Sequence, residues 1–294
     1  ISERIMRTEI DKLKEMDLIY IQSAGVKLTD AGFKLLSEIH STFYYINNLS
    51  DIELKLMEKL KLKRVSVVSG DAEKDAFTFN DLGKKAGEIV LELIKNDTVL
   101  GISGGTTMAC VVNQVKRKKG IKNVLVLPAR GGLSEELEIQ ANTLAANLAE
   151  KLGSSYKLLH IPDNLDEQEL NILKNNKLIN DVLEDIQRIN LLVFGLGNAL
   201  NMAVRRKSDK SVFDKIKSDC LTAEAFGYFF DKEGNVKMQT NSVGITLDKF
   251  KEIKNSIGVA GGSSKAEAIY AISKFNNNFI LVTDEAAAKR ILEL

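Results

Sequence analysis

From Val65 onward, short apolar runs alternate with amphipathic stretches, and this alternation restricts the possible fold more than any other feature. The runs are Val65 to Val68, Thr98 to Ile102, Val124 to Leu127, Lys157 to Ile161, Leu191 to Phe194, Ile257 to Ala260 and Phe279 to Val282. Between them lie segments of helical spacing: 80–94, one after Thr107, 134–152, two between Asp166 and Arg188, one from Lys265 and a last one from Asp284. A strand followed by a helix returns to its sheet only by a crossover, so neighbouring strands pair in parallel. The expected class is α/β, a doubly wound, mostly parallel sheet that binds ligands beyond its strand C-termini. The stretch between Phe194 and about Leu247 is less regular and suggests no clear element.

With 44% hydrophobic residues, the 294-residue chain can bury a large core. Its 41 basic and 40 acidic residues leave a formal charge of +1, so a charged partner must meet a local patch. Only nine of the basic residues are Arg, which makes an Arg beside a strand end, such as Arg130, Arg205 or Arg206, more informative than a Lys on a helix. Cys110 and Cys220 form no CxxC pair and read as small buried residues. Two histidines, His40 and His160, are too few for a multi-histidine metal centre, so no metal is expected. No apolar run approaches the roughly 20 residues of a membrane span, no signal-peptide pattern opens the chain, and a reducing cytoplasm is expected.

Residues 2–17 read as an amphipathic helix, N-capped by Ser2, with Ile5, Met6, Ile10, Leu13 and Met16 on one face and Arg4, Arg7 and Thr8 on the other. Apolar segments at Leu18 to Ile21 and Val26 to Leu28 flank a polar turn, and Thr29 caps a helix through about His40. Helix, hairpin, helix is the back half of a winged helix-turn-helix, in which the first helix enters the major groove and the hairpin is the wing. Ser2, Arg4, Arg7 and Thr8 are the expected DNA contacts. The chain starts at Ile1 without Met, as expected of a trimmed product, and the front half of that motif is not among its residues, so weak operator binding is expected. The expected division is a partial DNA-binding region at 1–48 and an effector-binding and oligomerisation domain at 49–294. An apolar face on a helix at 49–62, with Leu49, Ile52, Leu54, Leu56 and Leu60, is a candidate contact in a dimer or tetramer.

Three strand-to-helix loops and one strand end carry the ligand chemistry. Gly101-Ile102-Ser103-Gly104-Gly105-Thr106-Thr107 combines glycines, which let backbone N–H groups approach an anion, with hydroxyls at a helix N-terminus. It matches neither GxGxxG nor GxxxxGK[ST], so the nucleotide fingerprints fail. Gly195-Leu196-Gly197-Asn198 leads to Arg205 and Arg206, and Gly258 to Lys265 repeats the first loop's logic with a cation at its end. Pro128-Ala129-Arg130-Gly131-Gly132 projects Arg130 over the same edge. Gln140 and Glu224 add acceptors for sugar hydroxyls. Several cations and anion-type loops at one sheet edge point to a doubly phosphorylated ligand.

The stretches GISGGTTM, VLPARGG with EIQANTLAANLA, VFGLGNALNMAVRR, AEAFGYFFD, VAGGSSKAEAI and LVTDEAAAKRIL resemble the effector-binding domain of the sorbitol-operon-regulator family. The resemblance covers about residues 50–294, and ISERIMRTEIDKLKEMDLIYI is similar to the recognition helix and wing that precede it. It implies a sheet like that of phosphosugar isomerases and deaminases, and a repressor of glycolytic genes induced by fructose 1,6-bisphosphate. It assigns Thr106, Thr107, Arg130, Gln140, Arg205, Glu224 and Lys265 to the effector, with Ser103, Gly104, Gly105, Gly132 and Gly262 as backbone or hydroxyl neighbours. The alternative is a phosphosugar isomerase or deaminase on the same sheet, since fold alone does not decide function. Glu224 and Asp284 could act in such an enzyme. His40 precedes the sheet region and His160 adjoins Pro162, which leaves few groups for proton transfer, so a regulator is expected.

Overall fold

Local sequence and packing divide the chain, in the computed structural model, into two units, Ile1–Ser50 and Asp51–Leu294. The structure describes all residues except 1, 2, 23, 24, 37, 38, 40–48, 119, 133–135, 162–166, 241 and 242, and also leaves out the side chains of 167, 170, 171 and 174. Ser2, His40 and Ser134 therefore lie outside the described residues.

In the first unit, α1 (Glu3–Glu15) precedes an antiparallel hairpin of β1 (Ile19–Gln22) and β2 (Gly25–Leu28), followed by a helix, α2, over 30–36. The Thr29 hydroxyl accepts the Gly32 N–H at 3.0 Å, which caps α2, and donates to the Asp17 carbonyl at 2.6 Å. This is the expected helix, hairpin, helix order. None of the residues of α1 is buried.

The next helix, α3 (Leu49–Leu60), begins at the last two residues of the first unit and supplies the first ten of the second. Leu56 and Leu60, read from the sequence as part of a contact between chains, are buried in this chain, and Leu54 is the exposed leucine of the helix. A helical stripe has one apolar face, and here tertiary packing has already used most of it.

The sheet has seven strands, all parallel, in the order β3 (Arg64–Val68), β13 (Ile280–Asp284), β12 (Asn255–Val259), β7 (Leu191–Gly195), β4 (Val99–Ile102), β5 (Leu125–Pro128), β6 (Ser155–Tyr156). Its helices are α4 (Ala76–Leu93), α5 (Thr106–Gln114), α6 (Ala141–Leu152), α7 (Glu167–Lys174), α8 (Lys177–Gln187), α9 (Ala199–Arg205), α10 (Lys210–Ser218), α11 (Leu247–Glu252), α12 (Ala266–Phe275) and α13 (Glu285–Glu293). The strands read as unbroken apolar runs because both faces are covered. On one face Leu82, Ile89, Met108, Val111, Leu144 and Leu148 close over β4, β5, β7 and β12. On the other, Phe194 packs against Phe226, Phe250 and Phe279 with ring centroids 5.0–5.6 Å apart.

Four sequence expectations need correction. The run from Lys157 to Ile161 is not a strand: the pairing ends at Tyr156, and Leu159 bonds its backbone to the Asn142 side chain in both directions, at 2.9 and 3.1 Å. The stretch at 134–152 is two pieces, a 3-10 turn at Leu137–Ile139 and α6, separated by Gln140 in extended conformation. The irregular region holds α9, α10 and an antiparallel sheet in the order β11 (Val236–Gln239), β10 (Tyr228–Asp231), β9 (Leu221–Ala225), β8 (Gly197–Asn198). Its hairpin turn, Phe226-Gly227, has φ of +56° and +89°, the conformation usually marked by Asn-Gly, and the Phe226 ring is held against Phe194 and Phe250. Cys110 is buried against Gly83 as expected, but Cys220 is exposed, at positive φ in the turn that ends α10.

Between β4 and β7 the winding reverses: β4 leads on to β5, and β7 to β12 on the other side. Such a reversal leaves a crevice at the strand C-termini. Ser103 stitches it, its N–H donating to the Val193 carbonyl at 3.0 Å and its hydroxyl accepting the Gly195 N–H at 3.1 Å.

A second tie comes from Asp284, the last residue of β13. Its fully buried carboxylate accepts the N–H groups of Ala72 and Gly262, both at 2.6 Å, and of Ala287 at 2.8 Å. Burial pushes this carboxyl above the usual range, and the three N–H groups pull it back. An Asp284→Asn carboxamide turns an N–H toward donors that now find an oxygen, so the variant is expected to lose about 1–3 kcal/mol, read as a lower urea midpoint with an unchanged slope.

Candidate functional site

All the loops singled out from the sequence leave C-terminal strand ends, so the parallel sheet gathers them on one edge. The β4 loop is shaped by its glycines. Gly105 has φ of +115°, and a Cβ on Gly104 would lie 2.9 Å from the Ile139 carbonyl oxygen and 3.1 Å from the Ala141 nitrogen. Gly105 donates to that carbonyl at 2.8 Å, which sets the loop against the turn that carries buried Gln140. No side chain caps α5, and the Thr106 and Thr107 hydroxyls make no hydrogen bond among the described residues. The first turn of α5 thus presents N–H and O–H donors to an anion.

Past β5 the chain is clamped by the segment 243–245: Gly131 donates to the Val243 carbonyl and Ile245 to that of Ala129, both at 2.8 Å, and Arg130 bridges Gly244. A Cβ at Gly244 would meet the Arg130 backbone, so the clamp needs glycine there. This fixes half-buried Arg130 and, after it, Gly132 at φ of +152°.

The β7 loop continues into β8, where Gly197 pairs with Glu224. The neighbouring arginines at the end of α9 part ways. Arg205 is exposed, whereas Arg206 turns inward and gives Nη2 to Glu224 Oε1 at 2.8 Å, the same oxygen that accepts the Gly227 N–H at 2.6 Å. Glu224, read as an acceptor for sugar hydroxyls, has this oxygen engaged by the protein. Buried Nη1 of Arg206 has no hydrogen-bond partner among the described residues.

The β12 loop turns at Gly262, φ +93°, into a 3-10 turn, Ser263–Lys265, that packs on β8. The Lys265 backbone N–H donates to the Gly262 carbonyl at 3.0 Å, and its side-chain ammonium makes no hydrogen bond or ion pair among the described residues. Burial holds its ammonium below the ordinary lysine range, Glu73 pulls it up and Arg205 pushes it further down. Two more groups bear on this loop: Glu73, which sequence reading missed, and Asp284, which it named only as a group for an enzyme and which here ties backbone N–H groups. The first sits on an exposed loop about 190 residues away in sequence and has no local signature.

The structure thus joins Ser103, Gly104, Gly105 and Gln140 on one side of the crevice, and Gly262, Lys265 and Arg205 on the other, with Glu224 beside the β7 loop. In the N-terminal unit, Arg4, Arg7 and Thr8 are exposed on α1. Arg7 pairs with Glu3 at 2.7 Å, the Thr8 hydroxyl donates to the Arg4 carbonyl at 3.0 Å, and Arg4 makes no ion pair among the described residues.

The two arginines give a direct contrast. Arg206→Ala strands the Glu224 carboxylate, 4% exposed, and is expected to cost about 3 kcal/mol or more. Arg205→Ala is expected to stay within about 0.5 kcal/mol of the parent in the same urea titration.

Residues 44–293 match the family model described as "Putative sugar-binding domain", and residues 1–43 the one described as "CggR N-terminal DNA binding domain". The chain is 39% identical over 293 residues to the central glycolytic genes regulator of Priestia megaterium, covering 99% of this chain and 86% of that one. It is 38% identical over 292 residues to that of Bacillus subtilis, with the same two coverages. A solved structure from Enterococcus faecalis, described as a "putative SorC family transcriptional regulator", is 35% identical with a TM-score of 0.77, covering 82% of this chain and 99% of that one. The full-length sorbitol operon regulator SorC of Klebsiella pneumoniae, 21% identical with a TM-score of 0.74, shares the fold over 82% of this chain and 80% of its own. These relatives are regulators of transcription, which decides between a regulator and an enzyme on this sheet. The chain belongs to the family of sugar-binding transcriptional regulators that carry an N-terminal DNA-binding domain.

Proposed function

We propose that the protein represses glycolytic genes, that residues 1–48 contribute part of its operator-DNA contact, and that fructose 1,6-bisphosphate, held at the edge of the parallel sheet, releases it from the operator. The observation that carries this reading is the pairing of two donor-rich loops across the crevice: the start of α5, where the Thr106 and Thr107 hydroxyls are unbonded among the described residues, and the loop that ends at desolvated Lys265. Arg130 and Arg205 add charge, so the edge has more positive potential than one phosphate needs. Ser103, Gly104, Gly105, Gly132 and Gly262 supply close backbone approach, and Gln140 and Glu224 face the sugar between the phosphates. The names of the most similar relatives support the glycolytic target. Paired half-sites call for a symmetric dimer or tetramer, and an operator-bound protein of this kind works in the cytoplasm.

Calorimetry tests the effector. Fructose 1,6-bisphosphate is expected to bind about tenfold or more tightly than fructose 6-phosphate, and equal affinities would refute the reading. The pH dependence has a definite sign. A bound phosphate favours charged Lys265, so affinity is full while the ammonium persists and is lost as pH rises through its lowered range, earlier than for an ordinary lysine. Lys265→Met should weaken binding and flatten that alkaline limb.

For DNA, Arg4→Ala is expected to lower affinity for glycolytic promoter DNA and to reduce the slope of log K against log salt by about one, measured by fluorescence anisotropy. An unchanged slope would remove Arg4 from the contact.

A further inference from the structure

The two anion-type loops of the crevice are not equivalent. The Thr106 and Thr107 hydroxyls make no hydrogen bond among the described residues, whereas the loop at Gly262–Lys265 already holds an anion belonging to the chain. The Glu73 carboxylate accepts the Ser264 hydroxyl and, at 3.3 Å, the Ser264 N–H. Its side chain crosses the face of Gly262, through the space a Cβ would fill, and its charge lies within the field of Lys265. Glu73 is itself exposed, on the loop between β3 and α4. Asp284 sets this arrangement, since one carboxylate oxygen binds the N–H of Ala72, next to Glu73, and the N–H of Gly262.

We propose that Glu73 is a resident competitor for the anion site at Gly262–Lys265: its carboxylate stands where one ligand phosphate goes, and the ligand must displace it to engage Ser264 and Lys265. The proposal rests on the reading that this loop takes a phosphate of a phosphosugar. A carboxylate carries one negative charge and a phosphate close to two near neutral pH, with three acceptor oxygens, so displacement is favourable for a phosphate and not for a neutral sugar hydroxyl. The device would sharpen selection for phosphorylated ligands, and it would couple occupancy to movement of the 71–74 loop.

The test uses the whole chain and calorimetry with fructose 1,6-bisphosphate on four proteins: the parent, Glu73→Ala, Glu73→Gln and Lys265→Met. Removing the competing charge is expected to tighten binding about two- to fivefold in both Glu73 variants, the range of an exposed charge–charge interaction. Because Glu73 is exposed, both variants should fold, and Glu73→Gln, which keeps the side-chain length, carries the test if Glu73→Ala loses stability. If the parent binds and Lys265→Met weakens it, while both Glu73 variants bind as the parent does or less tightly, the competitor is overturned and the phosphate reading stands. If the parent does not bind, or Lys265→Met binds as tightly as the parent, the phosphate reading falls and takes the proposal with it.

Discussion

The buried Asp284 carboxylate is the tie on which the functional edge depends. Three backbone N–H groups from three segments converge on it: Ala72 beyond β3, Gly262 beyond β12 and Ala287 in the first turn of α13. Burying this charge in water's absence is costly, and the raised pKa records that cost. In return, two loops with no hydrogen-bonded ladder between them are held in one geometry. A neutral residue of similar size would satisfy at most part of this set.

The crevice is the product of sheet topology. Strands β4 and β7 are neighbours whose connections leave in opposite directions, so the chain cannot cover the space above their C-termini, and Ser103 bridges it at the level of the backbone. The antiparallel sheet β8–β11 then closes the side of the β7 loop, bringing Glu224 and Arg206 to it from residues the parallel sheet does not contain. The buried pair is costly in isolation, and the Gly227 N–H and the tight Phe226-Gly227 turn hold it in register.

How much was legible follows from the range of the interactions. Alternating apolar runs are local, and each of β3, β4, β5, β7, β12 and β13 lies within a residue or two of its run. Glycine loops are also local signals, because positive φ at Gly105 and Gly262 is a property of the residue type. By contrast, the run at 157–161 has strand composition and no strand, since whether an apolar segment joins a ladder depends on an available edge, and Asn142 satisfies its backbone instead. Cys220 reads as buried by residue type, and the turn after α10 exposes it.

The sequence by itself determined the fold class, the parallel order of crossovers and the set of loops that meet at one edge, because periodicity and backbone permissiveness are written residue by residue. Only the tertiary structure decided which arginine faces inward, that Glu224 is already paired, that Leu56 and Leu60 serve this chain's own core, and that Glu73 reaches across to Ser264. Those outcomes turn on distances between residues far apart in the chain. A charge has no preferred partner until packing removes the water that would otherwise solvate it.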